Sequence, residues 1–219
     1  MCGRTGSGKS TTIRILCSFI SQTVPVFIVD SKPSSIYKGW GLAIDDPDDA
    51  LRTLGTDTKH GQYPRVIYQP PEEFSGPDVL PGHVDLIYGE LYDRAKATRR
   101  PLCVVTDEVG HVMPGVNPGP GANNILSRGR ELRLISLWAT QRPARIPLVV
   151  YTQVNAFIIH RLLGKADKDM IKSHCGMDQL PALGRFEFIY WDESEDLPPL
   201  VWGFDLTPSV RPSPAPAAA

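Results

Sequence analysis

The sequence has no apolar run long enough to cross a membrane. A spanning helix needs about 20 consecutive apolar residues, and the N-terminus of this 219-residue chain is rich in Gly, Ser and Lys instead of forming the hydrophobic segment of a signal peptide. We therefore expect a cytoplasmic protein without a membrane span of its own.

Cysteines are few and widely separated. The four of them form no CxxC pair, and the five histidines show no metal-ligand spacing. This pattern favours reduced, buried thiols and structural histidines over a metal-binding or redox centre.

Net charge is also nearly absent, at −1, while 42% of residues are hydrophobic and 21% are charged. That composition is typical of a globular protein and excludes wholesale disorder, collagen and coiled coils.

Because the net charge is close to zero, any nucleic-acid binding must come from local basic patches. Residues 94–100 contain Arg94, Lys96, Arg99 and Arg100 without an acid, and residues 128–145 contain five arginines against Glu131. Either patch is equally well explained as a solvated helix face.

Short apolar segments alternate with amphipathic ones along the chain. This alternation predicts an α/β fold with a mostly parallel sheet flanked by helices on both faces. The predicted strands are 26–29, 66–68, 102–105, 134–139, 156–160 and 186–191, and the predicted helices are 9–19, 47–54, 83–97 and 123–132.

Three stretches depart from this alternation. Residues 110–122 are so rich in Gly and Pro that we expect a loop without helix, and the Pro/Ala-rich residues 207–219 predict a disordered tail after a single domain over 1–206. Only Met1 and Cys2 precede the Gly-rich loop, which is normally fed by a buried strand. Either the start is truncated or the sheet lacks that first strand.

The sequence GRTGSGKS at residues 3–10 matches the GxxxxGK[ST] phosphate-binding P-loop, or Walker A motif. Glycines allow successive backbone N–H groups to surround a phosphate at the positive end of the following helix. In this motif the lysine, Lys9, is expected to reach the β- and γ-phosphates, and the hydroxyl of the final serine, Ser10, to coordinate Mg²⁺. The residues expected to bind nucleotide are Gly3, Gly6, Ser7, Gly8, Lys9, Ser10 and Thr11.

An apolar strand followed by two acids, PLCVVTDE at 101–108, predicts a Walker B motif. Asp107 would hold Mg²⁺ through water, and Glu108 would polarise the attacking water. A strand that ends in solvated acids is the alternative. Since the chain has no guanine-reading NKxD motif, ATP is favoured over GTP.

A further apolar strand, LISLWATQRP at 134–143, delivers Thr140 and Gln141 to the same sheet edge. There the Gln141 amide can sense the γ-phosphate and the attacking water, unless it only caps the strand. Before this strand, Arg128, Arg130 and Arg133 are candidates for an arginine finger that would act in a neighbouring subunit's site. Ordinary surface arginines are the alternative.

These segments, together with VFIVDSKP at 26–33, resemble in order and spacing the FtsK/HerA superfamily of hexameric DNA-pumping ATPases, most specifically in SRGRELRLISLWATQRP. The resemblance covers roughly residues 3–145. It implies a RecA-like core, a homo-hexameric ring, ATP with Mg²⁺ between subunits, and double-stranded DNA in the central channel. By position, Arg130 matches the trans-acting arginine, Gln141 the sensor, and Asp30 and Lys32 the DxK after the second strand.

A motor of this size, without coupling or winged-helix domains, is similar to the genome-packaging ATPases of tailless, membrane-containing viruses. Mobile-element or conjugative transfer is an equally compatible role. We therefore expect an ATP-driven DNA translocase, cytoplasmic or virion-associated, that docks on a portal, membrane or capsid protein. The alternative is an ATPase that drives protein secretion or phage assembly without DNA. A P-loop metabolic kinase fits Glu108 and ATQRP less well.

Overall fold

The computed structural model describes residues 1–31, 35–56, 62–115, 117–192 and 199–204. The helices are α1 (Lys9–Ile20), α2 (Pro47–Thr53), α3 (Leu80–Thr98), α4 (Val109–Val112), α5 (Pro120–Arg128), α6 (Leu148–Gln153) and α7 (Lys165–Cys175). The strands are β1 (Val26–Asp30), β2 (Leu42–Ile44), β3 (Arg65–Tyr68), β4 (Leu102–Asp107), β5 (Leu134–Ala139), β6 (Ala156–His160), β7 (Glu187–Asp192) and β8 (Leu200–Gly203).

Strands β1 to β5 form an all-parallel sheet in the order β2-β3-β1-β4-β5. Strands β6 to β8 form an antiparallel sheet in sequential order. In the parallel sheet all carboxyl ends meet at one edge, where Asp30 on β1 is the register partner of Asp107 on β4. That edge is where ligands bind in open α/β folds.

Both faces of the parallel sheet are covered, because alternate residues of each strand point to opposite sides. On β1, Phe27 and Val29 pack into a core with α3 and α5, whereas Val26 and Ile28 pack into a second core with α1. All of β1 is buried, which explains its continuous apolar sequence. The expected fold class, with helices on both faces, is confirmed.

The N-terminal residues lie between the two sheets. Cys2 pairs in parallel with Thr140 at the end of β5 and with Ile159 on β6. Its N–H donates to the Ile158 carbonyl at 2.9 Å, and its own carbonyl accepts from the His160 N–H at 2.8 Å. In the described structure, Cys2 therefore occupies the position of the strand that normally precedes a P-loop, and it pairs with one residue on each side.

Residues 110–122 do not form the helix-free loop that the sequence predicted. Helix α4 takes up residues 109–112, and α5 begins at Pro120 instead of position 123. A proline is tolerated in the first helical turn, since its missing N–H would have no partner there. The predicted tail at 207–219 and Lys32 lie outside the described residues.

The cysteines match the sequence expectation. All four cysteines are free and buried. In the part of the chain that the structure describes, no helix is both long and apolar enough to pass through a lipid bilayer.

Helix α5 is capped by a side chain from another helix. No α5 side chain caps its own N-terminus, but Asp85 on α3 accepts hydrogen bonds from the Gly121 N–H at 3.1 Å and from the Ala122 N–H at 2.8 Å. A carboxylate at a helix N-terminus also interacts favourably with the helix dipole. This contact fixes the start of the segment that leads into β5.

Replacing Asp85 should therefore destabilise the fold. We expect Asp85→Ala to lower the free energy of unfolding by about 1 kcal/mol, the usual cost of losing a helix cap, as measured by urea denaturation. Asp93→Ala, at an exposed position of the same helix, is the matched control and should change it by less than about 0.5 kcal/mol. Equal effects of the two substitutions would contradict the capping role.

Candidate active site

The Gly-rich loop opens directly onto the N-terminus of α1. Gly8 is the N-cap residue and has φ 107°, a left-handed conformation that glycine adopts without strain. A Cβ at Gly8 would lie 2.8 Å from Cδ1 of Phe186, a contact too short for a real side chain. The loop can therefore present backbone N–H groups at the positive end of a helix, as a phosphate site requires.

Lys9 lies buried inside this loop. Its Nζ donates to the Gly3 carbonyl at 2.8 Å and lies 3.5 Å from the Arg4 carbonyl. Burial lowers the pKa of Lys9, while the nearby carboxylates of Glu108 and Asp107 act in the opposite direction. The ammonium group is thus held among oxygen acceptors, and phosphate oxygens can take the place of those carbonyls.

Asp107, at the end of β4, faces the first turn of α1. Its Oδ2 lies 3.4 Å from the Ser10 hydroxyl and accepts a hydrogen bond from the Tyr37 hydroxyl at 2.7 Å. Tyr37 is almost fully buried, and burial together with the Asp107 charge raises its pKa well above the ordinary value. Tyr37 therefore stays protonated and fixes the orientation of Asp107.

Glu108 has an unusual backbone conformation, with φ 92° and ψ 73°. A non-glycine residue in this region is strained, and such residues often occur at functional sites. The conformation directs the carboxylate towards the end of β5. There Oε1 accepts from the Thr140 hydroxyl at 3.0 Å, and both oxygens lie 3.2 Å from the Gln141 N–H.

Gln141 completes the link between the strand end and the P-loop. Its Oε1 accepts a hydrogen bond from the Thr5 hydroxyl at 2.5 Å. The structure therefore brings Lys9, Ser10, Asp107, Glu108 and Gln141 together at one edge of the sheet. Thr11, in the first turn of α1, is partly buried and also lies at this edge.

Arg130 is not part of this cluster within one subunit. It is exposed on the 3₁₀ turn Gly129–Leu132, which precedes the amino end of β5. Strand β5 is roughly 16 Å long at about 3.3 Å per residue, and Gln141 follows its opposite end. Arg128 and Arg133 flank the same turn.

The basic patch at residues 94–100 lies at the edge of the sheet opposite to the P-loop, where β4 begins. Arg94 and Lys96 are on the last turns of α3, and Arg99 and Arg100 connect that helix to the amino end of β4. Strand β4 separates this patch from Asp107.

Asp30, at the end of β1, is buried beside the site. It accepts a hydrogen bond from the Gln69 amide at 3.1 Å.

Two residues of the site's surroundings were not identified from sequence. Tyr37 lies in a short 3₁₀ turn with no motif, so no local signal indicates its contact with Asp107. The sequence predicts only a structural role for His160. It is fully buried at the end of β6, where its Nε2 lies 3.1 Å from the Thr12 hydroxyl. A Cβ at Gly3 would lie 2.5 Å from the His160 Cβ, so this residue supports the P-loop from behind.

The site fits a magnesium nucleotide. Among the described residues there is no cluster of three or more His, Cys, Asp or Glu side chains that could hold a metal ion alone, but Mg²⁺ commonly binds through one or two protein oxygens plus phosphate oxygens and water. Ser10 and Asp107 supply such oxygens beside Lys9. The N-terminus of α1 and Lys9 supply the positive field for the phosphates.

His160 also makes folding depend on pH. Burial, with a smaller contribution from the Lys9 charge, lowers the pKa of His160 from 6.5 to about 4. The folded state therefore keeps the ring neutral where the unfolded state takes up a proton. We expect the free energy of unfolding to fall by about 2 kcal/mol between about pH 8 and pH 5 from this group.

Urea denaturation across this pH range measures the effect. His160→Gln keeps a polar group beside Thr12 but cannot titrate, so its pH dependence should be flatter than that of the wild type by about that amount. An unchanged slope would show that His160 is protonated equally in both states.

No protein-family model and no curated protein sequence matches this chain. Solved structures do match. The genome packaging NTPase B204 from Sulfolobus turreted icosahedral virus 2, in complex with sulfate, superposes with a TM-score of 0.70 at 16% identity, over 91% of this chain and 92% of that one.

Secretion ATPases share the fold over part of their length. The cytoplasmic domain of the type VII secretion ATPase EccC from Thermomonospora curvata matches with a TM-score of 0.54 at 19% identity, over 92% of this chain and 24% of that one. EssC (ATPases 2 and 3) from Geobacillus thermodenitrificans gives 0.53 at 13% identity, over 88% of this chain and 37% of that one. The resemblance noted in the sequence is confirmed at the level of fold: this chain has the P-loop NTPase fold of genome-packaging and secretion ATPases.

Proposed function

We propose that this protein is an ATP-hydrolysing motor that translocates double-stranded DNA, in viral genome packaging or in mobile-element or conjugative transfer. The observation that supports this most is the convergence of Lys9, Asp107, Glu108 and Gln141 at one sheet edge. It occurs on a fold shared with a genome packaging NTPase.

The residues of the P-loop would bind ATP. Lys9 neutralises the β- and γ-phosphates, and the loop N–H groups surround the phosphate chain. Ser10 and Asp107 would hold Mg²⁺, whose charge stabilises the transferring phosphoryl group. The Tyr37 hydroxyl keeps Asp107 in place, which reduces the reorganisation needed when the metal binds.

Glu108 would accept a proton from the attacking water. Its carboxylate is bound to Thr140 and Gln141, so its position depends on the end of β5. Gln141 contacts both the P-loop and Glu108 and would report the state of the γ-phosphate. Positioning and charge stabilisation of this kind account for most of the catalysis of phosphoryl transfer.

An arginine would complete the site from a neighbouring subunit. Within one subunit, Arg130 lies at the other end of β5 from Gln141, which supports the assignment of a trans-acting finger in a homo-hexameric ring. DNA would run through that ring. A portal, membrane or capsid protein would anchor it, and the protein would act in the cytoplasm or on the virion.

Protein secretion is the second candidate function. The fold is shared with the ATPase domains of EccC and EssC, and a net charge of −1 gives no overall attraction to DNA. The two functions differ in whether DNA is a substrate, so a measurement of DNA dependence separates them.

Double-stranded DNA should stimulate ATP hydrolysis by the purified protein at low salt. We expect DNA binding to weaken as salt rises, with a linear dependence of log K on log salt concentration, because phosphate contacts release counterions. Glu108→Gln is the control: it should keep ATP binding and lose turnover with or without DNA. ATPase activity that is unaffected by DNA, without a salt-dependent affinity, would favour the secretion alternative.

Mixing two inactive variants tests the trans-acting arginine. Lys9→Ala removes phosphate binding from its own subunit but keeps a finger for the next one, whereas Arg130→Ala does the reverse. Rings assembled from both should regain activity that neither variant has alone, as measured by ATP turnover across mixing ratios. Absence of recovery at every ratio would show that Arg130 does not act across the interface.

A further inference from the structure

The turn that follows β5 presents two arginines close to the hydrolysis site. Arg142 and Arg145 are both exposed: Arg142 precedes the 3₁₀ turn Pro143–Arg145, immediately after Gln141, and Arg145 is the last residue of that turn. The Arg142 Nε lies 3.9 Å from Asp167 while its side chain remains 61% exposed. In the described ranges, no ion pair involves Arg145. The turn is therefore a cationic surface that can accept a further anion.

This turn is held as a rigid unit. The Arg145 N–H donates to the Arg142 carbonyl at 2.9 Å, and the Ala144 N–H donates to Asp167 Oδ1 at 3.1 Å. The buried Tyr151 hydroxyl donates to the Pro143 carbonyl at 2.5 Å. A force applied to either arginine is thus transmitted to the backbone of the turn instead of being absorbed by a flexible loop.

A chain of two hydrogen bonds connects the turn to Glu108. The Arg142 N–H donates to the Thr140 hydroxyl at 3.0 Å, and that hydroxyl donates to Glu108 Oε1 at 3.0 Å. Thr140 is 2% exposed, so water cannot readily substitute for its hydroxyl. A shift of the Arg142 backbone would alter the Thr140 hydroxyl's hydrogen bond, one of the contacts that orient the Glu108 carboxylate.

We propose that Arg142 and Arg145 contact the phosphate backbone of DNA and that Thr140 transmits this contact to Glu108. Thr140 is then a positioning residue that makes hydrolysis depend on DNA, and this inference rests on the proposed function. The turn lies at the carboxyl edge of the sheet, next to Glu108, whereas the patch at residues 94–100 lies at the opposite edge. A contact at the turn is therefore the one close to the hydrolysis site.

The test compares DNA affinity and ATP turnover, with and without double-stranded DNA, for the wild type and four variants. The variants are Thr140→Val, Thr140→Ser, the double change Arg142→Ala with Arg145→Ala, and the double change Lys96→Ala with Arg100→Ala. The last is the matched control, since it removes two exposed positive charges at the far edge. ATP binding and urea denaturation establish that each variant is folded.

Thr140→Val should bind DNA with wild-type affinity but lose the DNA-dependent increase in turnover, and Thr140→Ser should restore it, because only the hydroxyl is needed. The Arg142 and Arg145 double variant should lose the DNA-dependent increase in turnover. Its plot of log K for DNA binding against log salt concentration should have a slope shallower by about 1.8, the value for two lost phosphate contacts. The control pair should retain the increase.

Full stimulation of Thr140→Val would overturn the role of Thr140. An unchanged salt dependence of DNA binding in the Arg142 and Arg145 variant would overturn the DNA contact. Loss of ring assembly in that variant would overturn it too, because the turn would then belong to a subunit interface. A wild type that neither binds DNA nor responds to it would refute the proposed function itself, a result distinguishable from these.

Discussion

Parallel pairing of β4 with β5 is the constraint on which the site depends. Asp107 is the register partner of Ala139, so the residues that follow each strand, Glu108 and Thr140, emerge side by side. Cys2 then pairs with Thr140 and delivers the Gly-rich loop to the same point. A change of register by one residue would direct each side chain to the opposite face and separate the carboxylate from the P-loop.

The site also depends on the antiparallel sheet. His160 ends β6 and packs against Gly3 while its ring contacts Thr12, and Phe186, just before β7, lies against Gly8. These contacts pack the antiparallel sheet against the P-loop. The loop is therefore positioned by both sheets, and its stability is coupled to the neutral state of a buried imidazole.

Much of the fold could be predicted because its signals are local. The continuous apolar run at β1 and the helical spacing of α3 depend on neighbouring residues, and both elements occur where the sequence indicated. The sequence patterns did not indicate β2, α6, α7 or β8, and residues 110–122 differ from prediction for a tertiary reason. Asp85, from another helix, supplies the cap that allows α5 to begin at a proline within a Gly/Pro-rich stretch.

The order of residues along the chain supplies the chemical groups: a lysine and serine after a glycine turn, two acids after one strand and a glutamine after another. Tertiary structure decided which of them meet. It placed the Tyr37 hydroxyl on Asp107 and the Thr140 hydroxyl on Glu108. The reason is physical: strand pairing and burial join residues that are distant in the chain, and short-range sequence patterns contain no information about those distances.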